Sequence, residues 1–251
     1  MKGRVGVVLG GTTGIGRALS LGMARAGAEV VASARREEPV REVADALSAL
    51  GGRTLRVTSD VTDRDSLERL KGEVLSAFGR VDILVNCAGK TKRGATLDFR
   101  EADWQDILDT NLTGTLRACQ VFGRPMLERG YGRIVNVASL TSFVAFHEVA
   151  AYGASKAGVA ALTKSLAVEW GARGVCVNAI APGVFRTELN ADLLDGTPRG
   201  QELLARSPLA RFGGLDELAA ACVFLASEAA SFVNGEVLVV DGGFLASGVN
   251  R

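Results

Sequence analysis

The chain has 251 residues, 47% hydrophobic and 23% charged, with a net charge of +1. That size and balance suit one α/β domain with no linker, and near-neutrality gives no basis for nucleic acid or an acidic membrane as partner. One histidine and four scattered cysteines (Cys87, Cys119, Cys176 and Cys222) without a Cys-x-x-Cys pair argue against a zinc site, so the chemistry is expected to run without a metal.

The first residues lead directly into an apolar strand with no signal-peptide core, and no apolar run approaches the roughly 20 residues of a membrane span. A cytoplasmic location is the expectation. Apolar, β-branched runs recur at 4–9, 29–34, 53–58, 81–86, 132–138, 174–180 and 236–240, with helix-period segments in most gaps. This alternation predicts about seven parallel strands, right-handed crossovers and helices on both faces.

After the first strand comes Gly10-Gly11-Thr12-Thr13-Gly14-Ile15-Gly16, then a helical pattern through Ala26. Strand, glycine turn and helix together make a pyrophosphate cradle, because glycine permits close backbone approach and the helix amino terminus favours negative charge. The second strand ends at Ser33-Ala34 and is followed by Arg35-Arg36. An acid that would bond a ribose 2′-hydroxyl is missing there, and a guanidinium fork matches a 2′-phosphate. Two arginines solvated at a helix entrance are the alternative. Pro39 fits the first turn of the next helix, and Gly51-Gly52 and Gly79 fall where helices stop.

Ser139 closes the apolar run 134–138, at a strand's carboxyl end, where open α/β sheets bind ligands. Tyr152 and Lys156 follow in an alanine-rich run, four residues apart and so on one helix face. An ammonium beside a phenol lowers its pKa from about 10, which predicts an acid–base pair acting on a hydroxyl or carbonyl oxygen held by Ser139. The long segment 184–214 interrupts the compact rhythm and reads as a lid or as a pair of solvated surface helices.

Taken together, the Gly-x-x-x-Gly-x-Gly turn, Asp60-Val61, Asn86-Cys87-Ala88-Gly89, Asn111-Leu112-Thr113-Gly114, Ser139, Tyr152/Lys156 and Pro182-Gly183-Val184-Phe185-Arg186-Thr187 resemble the short-chain dehydrogenase/reductase family over essentially the whole chain. Leu9 and Cys87 depart from the family's usual threonine and asparagine. The resemblance implies a single Rossmann-type domain over 1–251 with 184–214 as a small substrate lid. It also implies hydride transfer between a nicotinamide and a secondary alcohol or ketone, by a tetrad of Asn111, Ser139, Tyr152 and Lys156. In that tetrad Tyr152 moves the proton, Ser139 orients the oxygen, Lys156 also holds the nicotinamide ribose, and Asn111 anchors a water relay.

The same resemblance places the cofactor on Gly10, Thr12, Thr13, Gly14, Ile15, Gly16, Ser33, Arg35, Arg36, Asp60, Val61, Asn86, Ala88, Gly89, Tyr152, Lys156, Pro182, Gly183, Phe185 and Thr187. NADP(H) is expected, with NAD(H) second. Asp60 has an alternative role as cap of a helix starting near Thr62. Substrate candidates are Ser139, Thr141, His147, Tyr152, Lys92, Arg93 and Arg186. Lys90, Lys92 and Arg93 with Arg186 would make a cationic pocket, or else a solvated basic loop. The lid and the tail 240–248 look most like the gluconate 5-dehydrogenase-type branch, acting on a sugar, sugar acid or polyol. A 3-oxoacyl-(acyl-carrier-protein) reductase and a non-catalytic NADP(H)-sensing protein are the alternatives. The family commonly forms homotetramers through long helices, and Ala151, Ala154, Ala157 and Ala161 would allow close packing, against a second copy or the chain's own sheet.

Overall fold

The computed structural model describes residues 1–188 and 190–248. Its strands are β1 (Val5–Leu9), β2 (Glu29–Ser33), β3 (Ile83–Asn86), β4 (Gly132–Val137), β5 (Val175–Pro182) and β6 (Val237–Val240). Its α-helices are α1 (Gly14–Arg25), α2 (Glu37–Ala49), α3 (Arg64–Phe78), α4 (Glu101–Leu108), α5 (Gly114–Arg129), α6 (Ala150–Trp170), α7 (Ala191–Leu194), α8 (Pro198–Arg206) and α9 (Leu215–Ala226). The strands form one parallel sheet in the order β2-β1-β3-β4-β5-β6.

A parallel sheet covered on both faces needs strands apolar on both sides, and every residue of β1, β3 and β4 is buried. Leu67 and Leu70 of α3, Phe122 and Met126 of α5 and Leu166 of α6 pack on one face. Leu19 and Met23 of α1, Val43 and Leu47 of α2 and Leu218 and Leu225 of α9 pack on the other. Chain order reverses at β1, which pairs with β2 on one side and β3 on the other, leaving a crevice beyond their carboxyl ends.

The sheet has six strands, not seven. Segment 53–58 lies beside β2 but forms no ladder. One main-chain bond joins them, Ser59 N to Ala34 O at 3.0 Å. Side chains take the remaining partners: Thr54 Oγ1 donates to Val30 O (2.7 Å), Ser33 Oγ to Val57 O (2.6 Å), and the Glu29 carboxylate accepts from Arg53 N. The β-branched run buries Val57 as a strand would, but hydroxyls and a carboxylate stand in for the ladder. The cap expected of Asp60 belongs to Asp63, whose carboxylate accepts from Asp65 N at the start of α3. Gly79 closes that helix at φ 71°, in the left-handed region glycine tolerates.

At the opposite end of the sheet, the fully buried Asp82 accepts from Val5 N (2.9 Å), from Arg80 Nε (2.7 Å) and Nη2 (2.6 Å), and from Arg129 Nη2 (3.1 Å). Burial alone would raise the Asp82 pKa, but Arg80, the Val5 amide and Arg129 hold it below the usual carboxylate range. A carboxyl depressed in the folded state stabilises above its unfolded pKa, and loses that contribution as pH falls through the folded value. Asp82→Asn should therefore cost about 3–5 kcal/mol at neutral pH and leave a flatter acid limb. Urea unfolding of both proteins from neutral to acid pH checks both outcomes.

Candidate active site

A cavity of about 650 Å³ occupies the crevice, lined by the glycine turn at one wall, by Arg35, Arg36, Ser59, Asp60 and Val61 at one end and by Tyr152 and Lys156 at the other. The turn is close-packed. A Cβ on Gly10 would lie 2.6 Å from Ala88 N, and one on Gly16 only 2.0 Å from Gly10 O, so neither position admits a side chain. Thr13 precedes α1 in an extended conformation, with no side-chain cap on the first amides of the helix. Those amides open on a cavity wall shaped for an anion. Thr187 reaches the same wall, its Cγ2 3.5 Å from a Cβ placed on Gly14. Thr12, Gly14, Ile15, Ala88 and Gly89 also line the cavity.

At the far end, Arg35 and Arg36 are exposed and make no ion pair with the described residues. Asp60 accepts from Thr62 N (2.9 Å) and Thr62 Oγ1 (2.8 Å). Burial opposes its ionisation, but those two bonds and the charges of Arg35 and Lys90 keep its pKa low. Ser33 departs from expectation. Its hydroxyl is buried against Val57 O and Ser59 Oγ (2.8 Å), facing the 53–58 segment, and Ser59 lines the cavity instead. Asn86 is buried too, donating to Asn136 Oδ1 (2.8 Å), while its neighbours Cys87, Ala88 and Gly89 face the crevice. Pro182, Gly183 and Phe185 are second-layer residues: Phe185 is buried in the core and Gly183 packs on Asp241.

At the reactive end, Lys156 is buried and donates to Val137 O at 2.6 Å, its Nζ 5.7 Å from the Tyr152 ring centre. Burial lowers the Lys156 pKa to about 8. Tyr152 is raised from its ordinary value, by burial first and the nearby Cys87 thiol, against a hydrogen bond from Ser139 that works the other way. The depression of Tyr152 expected from Lys156 is not seen: burial dominates, and the lowering comes from Ser139. Cys87 is itself pushed up to about 11 by burial, so it is a neutral thiol. Gly89 keeps the space open, since a Cβ there would lie 3.3 Å from Asn111 Oδ1 and 3.6 Å from Lys156 Nζ.

Asn111 sits in a single π-turn, Asp109–Thr113, between α4 and α5, a geometry frequent at functional sites. Its amide donates to Lys90 O (2.9 Å) and Ser155 Oγ (3.0 Å) and accepts from Lys90 N (2.9 Å), and its main-chain carbonyl accepts from Thr115 Oγ1 (2.7 Å). It fastens the loop after β3 onto α6. Ser155, which completes this clamp, was not anticipated, although its place directly before Lys156 was the available signal.

The four cations named for a cationic pocket or a basic loop are all ion-paired. Lys90 pairs with Asp106, Lys92 with Asp103 (2.7 Å), Arg93 with Glu148 (2.9 Å) and Arg186 with Asp195 (2.6 Å). His147 is exposed beside Glu148, its Nδ1 3.8 Å from the carboxylate. Thr141 is buried, with no hydrogen-bond partner for its hydroxyl among the described residues. Ser59, Thr91, Thr110 and Val137, none of them a site candidate from the sequence, also line the cavity, as does Cys87, the departure from the family's asparagine.

A family model described as enoyl-(acyl carrier protein) reductase matches residues 10–245. The chain belongs to the short-chain dehydrogenase/reductase family. Among similar short-chain dehydrogenases, the D-threitol dehydrogenase of Mycolicibacterium smegmatis is 43% identical over 97% of this chain and 94% of its own length. The gluconate 5-dehydrogenase of Gluconobacter oxydans is 38% identical over 98% and 96%. A solved structure of a putative NAD(P)-dependent gluconate 5-dehydrogenase from Beutenbergia cavernae, with bound NADP at low occupancy, superposes with a TM-score of 0.93 at 44% identity, covering 98% of each chain.

One consequence holds for this short-chain dehydrogenase before any ligand binds. Between about 8 and the ordinary lysine value, the unfolded chain binds a proton at Lys156 that the folded one does not, so this group makes stability rise with pH there. Lys156→Met, which also leaves Val137 O without its donor, should lose that rise in stability with pH across the window, whatever its offset from wild type. Urea midpoints at stepped alkaline pH measure the difference.

Proposed function

We propose that the protein is an NADP(H)-dependent oxidoreductase interconverting a secondary alcohol and its ketone, on a sugar, sugar acid or polyol. One observation carries the reading: a single cavity joins two unpaired arginines at one end to Tyr152 and Lys156 at the other. The residues present fit the cofactor. The glycine turn leaves backbone amides open to a diphosphate, Arg35 and Arg36 suit a 2′-phosphate, and Ala34 offers no carboxylate to repel it. The NADP bound in the Beutenbergia relative supports the same choice.

When bound, the nicotinamide supplies or accepts the hydride. Tyr152 handles the proton: in oxidation the alcohol O–H proton passes to the phenolate as the carbinol C–H leaves with its electron pair, and in reduction the phenol returns the proton to the new alkoxide. Ser139, near enough to Tyr152 to lower its pKa, holds the substrate oxygen. Lys156 at the cavity floor holds the ribose and favours the phenolate when charged. Asn111 positions the Lys90 loop and α6, with its main-chain carbonyl the candidate anchor of a water relay. Arg186, His147 and Thr141 stand at the substrate side, and α7 and α8 form the lid. The complete tetrad weighs against a non-catalytic sensor, and the carboxylate-paired loop weighs against docking of an acidic carrier protein.

Exposed Ala154, Ala157 and Ala161 on α6, with Val168 exposed further along, support assembly into a homotetramer through that helix. Four free thiols fit a reducing cytoplasmic setting.

Tyr152→Phe should leave NADPH binding intact, because the ring still packs, and lower turnover by about 10²–10⁴-fold. Since burial keeps the phenol protonated at neutral pH, wild-type ketone reduction should be level there and fall in alkali, while alcohol oxidation rises over the same range. Steady-state rates in both directions against pH decide this, and wild-type turnover in the Phe variant would reject it.

For the cofactor, Ala34→Asp with Arg35→Gln removes a charge-assisted contact and adds repulsion toward a 2′-phosphate. One such bond is worth about 1.5–3 kcal/mol, so the NADPH to NADH affinity ratio should fall tenfold or more. Fluorescence titration with each nucleotide reads it directly, and an unchanged ratio would make Arg35 a surface residue.

A further inference from the structure

We infer that the substrate is an uncharged polyol, with its ketose as oxidised partner, rather than a sugar acid. The inference rests on the dehydrogenase reading above and sharpens it from the charges around the substrate side.

A carboxylate entering a partly desolvated site needs a cation whose charge is not already spent. The loop after β3 and the first residues of the lid carry Lys90, Lys92, Arg93 and Arg186, and each of these four has a carboxylate in contact. Glu148 holds Arg93, Asp106 holds Lys90, and Asp195 grips Arg186 through both its Nε (2.9 and 3.0 Å) and its Nη2 (2.6 Å). Asp103 serves two, Lys92 and Arg100, the latter at 2.7 and 3.0 Å. The partners belong to different elements: Arg93 and Glu148 are brought together by the bond from Gly94 N to Glu148 O (3.0 Å), and Glu148 is held at φ 63°, an uncommon conformation for a residue with a side chain. Pairing here is built by the backbone.

A sugar acid bound at Arg93 or Arg186 would lie beside Glu148 or Asp195, an anion next to an anion, and that repulsion offsets the charge it gains. A hydroxyl has no such conflict, because it donates to a carboxylate oxygen and accepts from a guanidinium N–H, joining the pair without breaking it. The buried Thr141 hydroxyl, unpartnered among the described residues, adds a neutral donor–acceptor two residues from Ser139. Arg199 and Arg206 of α8 are the exceptions, lid cations with no carboxylate partner among the described residues, the Arg206 guanidinium lying 4.8 Å from the centre of the Phe244 ring. The reaction balances as for any secondary alcohol: the carbinol C–H goes as hydride to the oxidised nicotinamide and the O–H proton goes to Tyr152.

The test compares matched chains with NADP⁺: threitol, erythritol, xylitol and sorbitol against threonate, erythronate, xylonate and gluconate. At equal carbon number, kcat/KM for the better polyol should exceed that for the aldonate by about tenfold or more, the worth of one unpaired charged contact. Glu148→Gln, which frees Arg93, should move the aldonate to polyol ratio upward by severalfold, seen also in calorimetric binding of the aldonate to the enzyme–NADPH complex. An aldonate preferred by wild type, or a ratio unmoved in Glu148→Gln, overturns the inference while leaving the dehydrogenase reading standing; loss of an aldonate preference in Arg206→Ala would assign the anchor to Arg206. No turnover on either series, with acyl thioesters reduced instead, rejects the reading beneath it.

Discussion

The reactive geometry depends on how α6 is tied to the carboxyl ends of β3 and β4. Lys156 Nζ bonds Val137 O, Ser142 Oγ bonds Lys156 O (2.8 Å), and Asn136 Nδ2 bonds Thr163 Oγ1 (2.9 Å) one helical stretch further on. Asn136 in turn accepts from Asn86, its register partner on β3. The five residues named on the strands and on α6 (Asn86, Asn136, Val137, Lys156 and Thr163) are buried, where each bond is stronger and each unpaired group costlier. Tyr152 therefore stands at a fixed height above the crevice that the glycine turn opens, and the distance between that turn and Tyr152 is set by the sheet.

That arrangement explains which parts were legible in the sequence. Val5–Leu9 and Ile134–Val137 read as strands because both faces are covered, and the glycine turn read as a cradle because Gly10 and Gly16 leave no room for a Cβ. The four-residue spacing of Tyr152 and Lys156 survives in a helix of 21 residues. What failed had a common cause: side-chain direction and long-range partners. Segment 53–58 has strand composition, but Thr54 and Ser33 spend their hydroxyls across the gap. Ser33 and Ser59 are 26 residues apart, and the sequence does not say which of them faces the cavity.

The basic residues make the same point. Arg35 and Arg36 and Lys92 and Arg93 are adjacent pairs of cations following strands, and composition does not separate them. In the fold the first pair has no carboxylate within reach among the described residues, while the second meets Asp103 and Glu148, the latter 55 residues away in sequence. An exposed ion pair adds little stability, so the main effect of these pairs is to cancel charge on the loop after β3, while Arg35 and Arg36 keep theirs at the other end of the cavity.

Cys87 shows how burial redefines a substitution in the motif. An asparagine there would bring an amide with two donors and an acceptor, whereas the thiol, raised to about 11, is neutral and a weak hydrogen-bonding group. It packs beside Lys156 and lines the cavity without drawing charge to it. With no anion next to it, Lys156 is held by a carbonyl alone, and burial is free to bring its pKa down to about 8. The proton inventory at this end is therefore set mainly by desolvation, and negative charge brought into the cavity near Lys156 will raise its pKa again.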